Sequence, residues 1–554
     1  MNIKTNVMAT AAALSLAIGS SAATAGTPYE VYAADQSNSV AGEASRGVDG
    51  SFMWVWQGED VEIQAKGGDA AIPARYDMHD VFPGTLVEST GGLNTGETLG
   101  TLHASGQNFG RLHGMLSDPQ GMYMNVNMFV TGGLAGGYVG IIDGETKEPV
   151  ALFQVTKTGH GRSLHMSFWN ADGSALLLAN LHGRILERIN VNRDAYGRII
   201  SAEYDLSASL NVGSNPAIVD PASGFNPSAA DPIPSMVPST VTGDYANADL
   251  GLTTPSGADR QGVERPGNVI VCPIVSSKGN VYITMGGGGL IVADGNATPM
   301  NIIAEYDRTN VNGAGCGGIE KNGKIYLNAG ASASGAGATQ STMTVYQIND
   351  ELIAEGRGGL NKPKAKVVLR DRTNTATIGA TKGDASNMTG QLPGVTTRRD
   401  AHGMGISGKG RYIHQSDRLQ NNVEVFDTEN GKHVGSYSLA NGVCADYAAT
   451  GVPADYADDP APDLMGTTPD GDYMVVATRG PIPVSVGHNA QGACPGVGII
   501  AMKNNGKSGE LVTILRTTNT TDTAPAAAPG GYAYGGNEHS DPHGASVRVR
   551  AEDL

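Results

Sequence analysis

Basic residues are scarce in this chain of 554 residues: 37 Lys and Arg stand against 54 Asp and Glu, a formal net charge of −17. Nucleic-acid backbones and anionic membrane surfaces are held by clustered cations, so neither is an expected partner. Long apolar runs are missing too. Past the first 25 residues no segment reaches the roughly 18 apolar residues of a membrane-crossing helix, so no membrane span is expected. Charged residues amount to 16%, and no long stretch shows the 3.6-residue period of an amphipathic helix, which argues against a helical bundle. The four cysteines are too few to scaffold so long a chain and act as local staples or as ligands.

Several chemical signatures are absent. The glycines at 286–289 are followed by no Gly-Lys-Ser/Thr and no helix, so they form a strand-end turn and not a phosphate loop. No Cys-x-x-Cys-His occurs to attach a c-type haem. No Gly-x-Ser-x-Gly elbow stands between a strand and a helix.

Glycine, by contrast, is abundant, with 78 residues. Residues 1–25 read as a secretory signal peptide: a short polar start with Lys4, an apolar stretch from Val7 to Ile18, and a small-residue end at Ala22, Ala23, Thr24 and Ala25. The mature chain, 26–554, is expected to be periplasmic or secreted. It carries an internal repeat, a His, Cys or Asp followed seven or eight residues later by a turn glycine and then an apolar strand. The instances run from His113 to Gly121, His165 to Gly173, Cys272 to Gly279, Cys316 to Gly323, His402 to Gly410 and Asp463 to Gly471, with a seventh begun at His543. Each reads as strand, tight turn, strand. Pieces such as Tyr138–Asp143, Asn422–Asp427 and 343–348 complete four-stranded sheets.

The expected fold is therefore an all-β, seven-bladed β-propeller. The stretch from Tyr29 to Val40 supplies the strands that the truncated seventh repeat lacks, so N- and C-terminal strands share one blade and close the ring. Extra length falls in loop insertions near 207–266, 444–462 and 517–538, of the kind that often crowd one binding face.

In a propeller the inner strand of every blade lines the axis, so one repeat position yields seven side chains facing a common region: His113, His165, Cys272, Cys316, His402, Asp463 and His543. Every one is a metal-capable type. Four of the chain's 12 histidines and two of its four cysteines occupy this position, far from random placement, although a repeat can also inherit a polar residue that merely caps a turn or binds channel water. Imidazole suits copper, zinc, iron and nickel, and thiolate shifts the preference toward copper or zinc.

Around this ring, Asp400, Asp541, Arg111 and Arg162 lie two or three residues before ring positions and are expected to orient ligands or hold an anion. Arg398 and Arg399 are anion-binding candidates, Arg399 with a catalytic role. His539 is an additional ligand candidate, while His414, His182, His103 and His160 offer a second layer. His79, His433 and His488 read as surface or loop residues. Cys272 and Cys316 fall on adjacent blades and are either metal thiolates or a disulfide, whereas Cys444 and Cys494 flank one insertion and are expected to pair.

Phrases such as Thr468 to Val476 and Asn422 to Asp427 resemble the YVTN-type and nitrous-oxide-reductase-like seven-bladed propellers. That resemblance implies copper held by channel histidines. Nitrous oxide reductases add a cupredoxin domain, for which the 11 residues that follow His543 are too few, so none is expected here; thiocyanate-dehydrogenase-like propellers do without it and are the closer architectural analogue. The expectation is an exported copper-dependent oxidoreductase acting on a small inorganic or sulfur-containing substrate, with a periplasmic electron-transfer partner and with Asp463 as ligand or base. The alternatives are a non-catalytic propeller that binds a protein partner, and a lactonase-like hydrolase using a divalent ion, with zinc or calcium in place of copper.

Overall fold

Each repeated phrase folds as two antiparallel strands joined by a tight turn. In the computed structural model the turn glycines of the six complete phrases take left-handed φ angles: Gly121 at 68°, Gly173 at 71°, Gly279 at 83°, Gly323 at 65°, Gly410 at 68° and Gly471 at 75°. A Cβ is strained in that region, which is why glycine recurs there. Asp118, Asn170, Ser276, Ser407 and Thr468 each accept, through the carbonyl, the N–H of the glycine three residues on.

The structure describes residues 28–36, 51–82, 86–89, 94–98, 110–129, 137–156, 162–211, 270–286, 289–306, 310–311, 315–329, 343–354, 363–371, 399–407, 409–452, 454–481, 492–519, 538 and 540–549. Residues 1–25 and most of the insertions near 207–266 and 517–538 lie outside this set. Among the described residues no helix is long and apolar enough to cross a membrane.

Seven sheets form seven blades. Blade 1 runs outward from Arg111–Ser117 through Tyr123–Phe129 and Tyr138–Asp143 to Pro149–Gln154, and Leu86–Ser89 with Asn94–Thr98 widens its outer edge. The inner strands of blades 2 to 6 are Leu164–Trp169, Ile270–Val275, Gly318–Lys321, Ala401–Ile406 and Pro462–Thr467. Blade 7 takes its inner strand, Pro542–Val549, from the C-terminal end and its other three, Tyr29–Asp35, Phe52–Gln57 and Ala74–Asp77, from the N-terminal end. The expected closure by both chain ends is thus what the fold uses. Buried Arg548 locks the joint between blades 7 and 1, donating from Nε to Gly121 O at 2.8 Å and pairing with Glu30 and Glu145.

Apolar faces of adjacent blades make the core. Tyr123, Ile141 and Phe153 of blade 1 meet Leu176, Leu178 and Ile189 of blade 2, and Val31 and Trp56 of blade 7 meet Val475, Ile499 and Leu515 of blade 6. Each such side chain contributes about 1.5–3 kcal/mol by leaving water.

One irregularity recurs where the inner strands begin. The ladder to the second strand skips His113 in blade 1 and His543 in blade 7, and it opposes His165 with Met166, Val271 with Cys272, His402 with Gly403, and Asp463 with Leu464 to single partner residues. Six blades therefore carry a β-bulge at the ring position, and a bulge bends the strand and re-aims its side chain. Glycines let the strands crowd together there. A Cβ on Gly403 would stand 2.2 Å from Asp463 O, and one on Gly317 would stand 2.6 Å from His402 O.

Blade 2 also buries Glu187. Its Oε1 accepts from Thr156 N at 3.0 Å and Asn180 Nδ2 at 3.3 Å, while Oε2 has no hydrogen-bond partner among the described residues. Burial raises this carboxyl from 4.5 to about 7. A carboxyl that holds its proton more tightly when folded favours folding below its unfolded pKa, and that contribution is lost as pH rises through the folded value. Glu187→Gln is therefore expected to be more stable than the parent at pH 8, by up to about 3 kcal/mol, with the gap closing toward pH 5. Urea denaturation at the two pH values checks this, and an equal difference at both would refute it.

Candidate metal centre

The bulges bring the ring side chains into one buried region that holds two groups of donors. His113 Nε2 lies 3.2 Å from His165 Nε2, and His402 Nε2 lies 3.2 Å from His543 Nε2. The His113 and His543 imidazoles stack at 3.8 Å, which joins the two pairs. Asp463 Oδ1 stands 3.1 Å from His402 Nε2 and 3.8 Å from His543 Nε2, and among the described residues this fully buried oxygen accepts no hydrogen bond. His402, Asp463 and His543 form one group with metal-ligand spacing; His165, Cys272 and Cys316 form another.

The sulfurs require a correction. Cys272 and Cys316 are bonded to each other with Cα atoms 5.3 Å apart, because ring positions on adjacent blades lie within disulfide reach. A disulfide sulfur carries no thiolate charge, so in this state neither cysteine is a metal ligand of the ring. Cys444 and Cys494 pair as expected. Disulfides persist in oxidising compartments, so the two bridges fit a protein that works outside the cytoplasm.

Charge around Asp463 is organised by two arginines that sequence reasoning overlooked. Its Oδ2 accepts from Arg418 Nη1 at 3.1 Å and Arg479 Nη1 at 2.7 Å. Arg418 also donates to Asp400 Oδ2 at 2.7 Å and 3.1 Å, and Arg479 to Asp541 at 2.7 Å and 2.5 Å. Asp400, Arg418, Asp463, Arg479 and Asp541 thus form one buried chain of alternating sign. Asp400 and Asp541, expected to orient histidines, instead orient the arginines that hold Asp463.

A signal for these arginines existed in the repeat. Arg418 and Arg479 each follow the second-strand residue that faces the start of the inner strand, Asp417 opposite Ala401 and Thr478 opposite Pro462. In blade 7 the same position holds Gln36, whose amide contacts His113 Nδ1 at 2.9 Å. One step past the bulge, the second strand turns a side chain toward the axis.

Arg399 is engaged elsewhere: Nε donates to Asp417 at 2.6 Å and Nη2 to Glu424 at 2.6 Å. Two carboxylates answer its charge, which replaces the expected anion-binding role. His414 lies off the ring, bonded to Tyr437 Oη at 3.0 Å and Gly506 O at 2.9 Å, and His433 pairs with Glu424 at 2.6 Å. Arg111, buried and lying over the Phe129 ring, is held down to about 10 by burial. His182 is half-buried and shifted down by burial. His539, His103, His160, His488 and Arg398 lie outside the described residues, as does the side chain of His79.

Burial also sets protonation. It penalises the imidazolium, and neighbouring imidazoles and arginines add repulsion, so His113, His402 and His543 fall well below their usual range and His165 falls to about 3. Neutral imidazole is the ligand form. His543 Nδ1 lies 2.7 Å from His113 O; a carbonyl only accepts, so Nδ1 carries the proton and Nε2 keeps its lone pair toward the centre. Two imidazole nitrogens on one tetrahedral cation at about 2.0–2.1 Å sit about 3.3 Å apart. Both observed pairs match that bite.

At the opposite ends of the inner strands the channel widens into a separate cavity of about 540 Å³ lined by residues that include Leu116, Phe168, Trp169, Val275 and Thr467.

No family model and no curated protein matches the chain. Among solved structures, a Lactobacillus plantarum protein aligns at 9% identity and a TM-score of 0.46 over 94% of this chain and 99% of its own. The periplasmic gluconolactonase of Pseudomonas aeruginosa aligns at 9% identity and 0.44 over 89% and 98%. The hydrazine synthase of Kuenenia stuttgartiensis aligns at 12% identity and 0.30 over 66% and 92%. Similarity this low carries no argument about activity, which rests on the site alone.

Removing Arg479 takes from Asp541 its cation, leaving the Gly480 N–H at 3.2 Å, and leaves the buried Asp463 with Arg418. Arg479→Met is expected to cost about 3–5 kcal/mol in the metal-stripped protein, read by chemical denaturation. A change under 1 kcal/mol would show that the charge chain is not needed for folding.

Proposed function

We propose that His113, His165, His402 and His543 with Asp463 form a transition-metal centre, and that the chain is an exported, copper-dependent oxidoreductase. Its substrate would be a small inorganic or sulfur-containing molecule. The observation that carries this reading is the approach of His402 Nε2 and His543 Nε2, themselves 3.2 Å apart, to Asp463 Oδ1, a buried carboxylate oxygen with no hydrogen-bond partner among the described residues, beside a second Nε2 pair, His113 and His165, at 3.2 Å. A buried polar atom without a partner is costly, and a cation between Asp463 Oδ1 and His402 Nε2 removes that cost.

The donor set points to the metal. Four imidazoles and one carboxylate are borderline ligands, and among first-row divalent ions such sites hold copper most tightly. A calcium-dependent hydrolase is less well supported, since calcium takes six to eight oxygens and the centre offers one carboxylate. Bound copper would supply one-electron chemistry. The chain's own residues would do the rest: Arg418 and Arg479 aim Asp463, Gln36 orients His113, and the His113 carbonyl fixes the His543 tautomer. Asp463 Oδ1, the oxygen the arginines leave free, is the atom that can ligate or take a proton from substrate. Electrons would pass to a periplasmic partner.

Purification without chelator followed by elemental analysis tests this. Near-stoichiometric copper is expected in the parent, with at least tenfold less in the His402→Ala, His543→Ala double variant. A chain that stays free of transition metals after export in copper-supplemented medium would refute it. Calcium alone would favour the hydrolase, and a metal-free chain the partner-binding propeller.

A further inference from the structure

The Cys272–Cys316 bridge differs in its surroundings from the other disulfide. Both of its sulfurs face one imidazole: His165 Nδ1 lies 3.7 Å from Cys272 Sγ and 3.8 Å from Cys316 Sγ. His165 has its other nitrogen, Nε2, against His113 and also hydrogen-bonds the backbone of Val271 beside Cys272, a bond that ligation through Nδ1 would exchange for the metal. Cys444–Cys494 is packed with Leu439, Met474 and Ala493, and among the described residues it joins no group of metal-ligand spacing. A staple needs nothing beyond two sulfurs. The first bridge has a third donor aimed at it.

The cysteines are also held so that they would stay together if the bond opened. Cys272 N donates to Thr284 Oγ1 at 3.2 Å, and the same hydroxyl donates to Gly315 O at 2.9 Å, next to Cys316. On the other side, Gly317 N donates to Asn328 Oδ1 at 3.2 Å. One threonine thus ties both cysteine backbones together across the blade 3 and blade 4 boundary. Release of the sulfurs would leave their Cβ atoms in place.

We propose that Cys272–Cys316 is a redox gate over a second, soft-metal site, in which Cys272 Sγ, Cys316 Sγ and His165 Nδ1 are the ligands. In the oxidised state the sulfurs are spent on each other and the site is closed. A dithiol reductant opens it: two electrons and two protons pass from the dithiol to the bridge, giving two thiols in the protein and a disulfide in the reductant. A thiophilic cation such as Zn²⁺ or Cu⁺ then displaces the two thiol protons to solvent and takes two thiolates and one imidazole, with a fourth position left for water or substrate. The site uses no atom of His402, Asp463 or His543 but shares His165, and because a neutral imidazole offers a single lone pair His165 serves this site when its Nε2 is not held by a metal in the central ring.

The test uses the full mature chain, stripped of metal and carrying His402→Ala and His543→Ala so that the central ring is disabled. Co²⁺ is the probe, because thiolate-to-cobalt charge transfer gives a near-ultraviolet band that imidazole and carboxylate ligands do not. After dithiol treatment and removal of reductant, one equivalent of Co²⁺ is expected to produce the band, and the untreated chain is expected to show none. Cys272→Ser should abolish it and His165→Gln should weaken Co²⁺ binding at least tenfold, whereas Cys444→Ala with Cys494→Ala should leave it unchanged. Circular dichroism establishes that each variant is folded. The proposal is overturned if the band survives Cys272→Ser, or if it is absent when thiol titration shows the bridge open in folded protein. It is overturned equally if the bridge resists every dithiol concentration that leaves the fold intact.

Discussion

Asp463 is held by Arg418 and Arg479, and much of the channel end depends on that clamp. Three blades contribute to it: Arg418 comes from blade 5, Asp463 and Arg479 from blade 6, and Asp541 from the entry to blade 7. Taking five charges out of water is expensive, and such a chain is tolerable only when nearly every donor and acceptor is matched. Among the described residues the matching fails at one atom of this chain, Asp463 Oδ1, and that atom faces two imidazoles. A network that satisfies every position but the one facing the ligands has the form of a preorganised cation site.

The clamp works only because the inner strands are bent and close. An inner strand in regular register would alternate its side chains between the two faces of its blade. The bulges at six of the seven ring positions break that alternation, and five of those blades turn an imidazole or a carboxylate toward the channel. Gly317 and Gly403 then remove the Cβ atoms that would keep neighbouring backbones apart. Tight approach explains both why imidazole nitrogens from different blades come within 3.2 Å and why the cysteines of blades 3 and 4 meet as a bridge.

That bridge changes the chemical character of the ring. Seven metal-capable residues become four imidazoles and a carboxylate on one side, with a disulfide on the other and His165 between them. His165 touches both halves through different nitrogens, which makes it the residue through which the two would communicate. The cavity at the far mouth is built from the opposite ends of the inner strands.

The spacing of turn glycines and apolar strands sufficed to specify the blade number, the turn positions, the shared blade of the two chain ends and the membership of the ring, because these follow from local chemistry repeated at a period. Asp400 and Asp541 were legible as residues near the ring, but their partners were not. Arg418 and Arg479 were passed over and Arg399 was chosen as the anion ligand, since sequence does not show which cation lies opposite which carboxylate once strands from different blades converge. The choice between thiolates and a disulfide at Cys272 and Cys316 had the same origin. Residue types at the ring were written in the chain, but pairings across blades depend on distances of a few ångströms that arise only when bulges and glycines bring seven strands onto one axis.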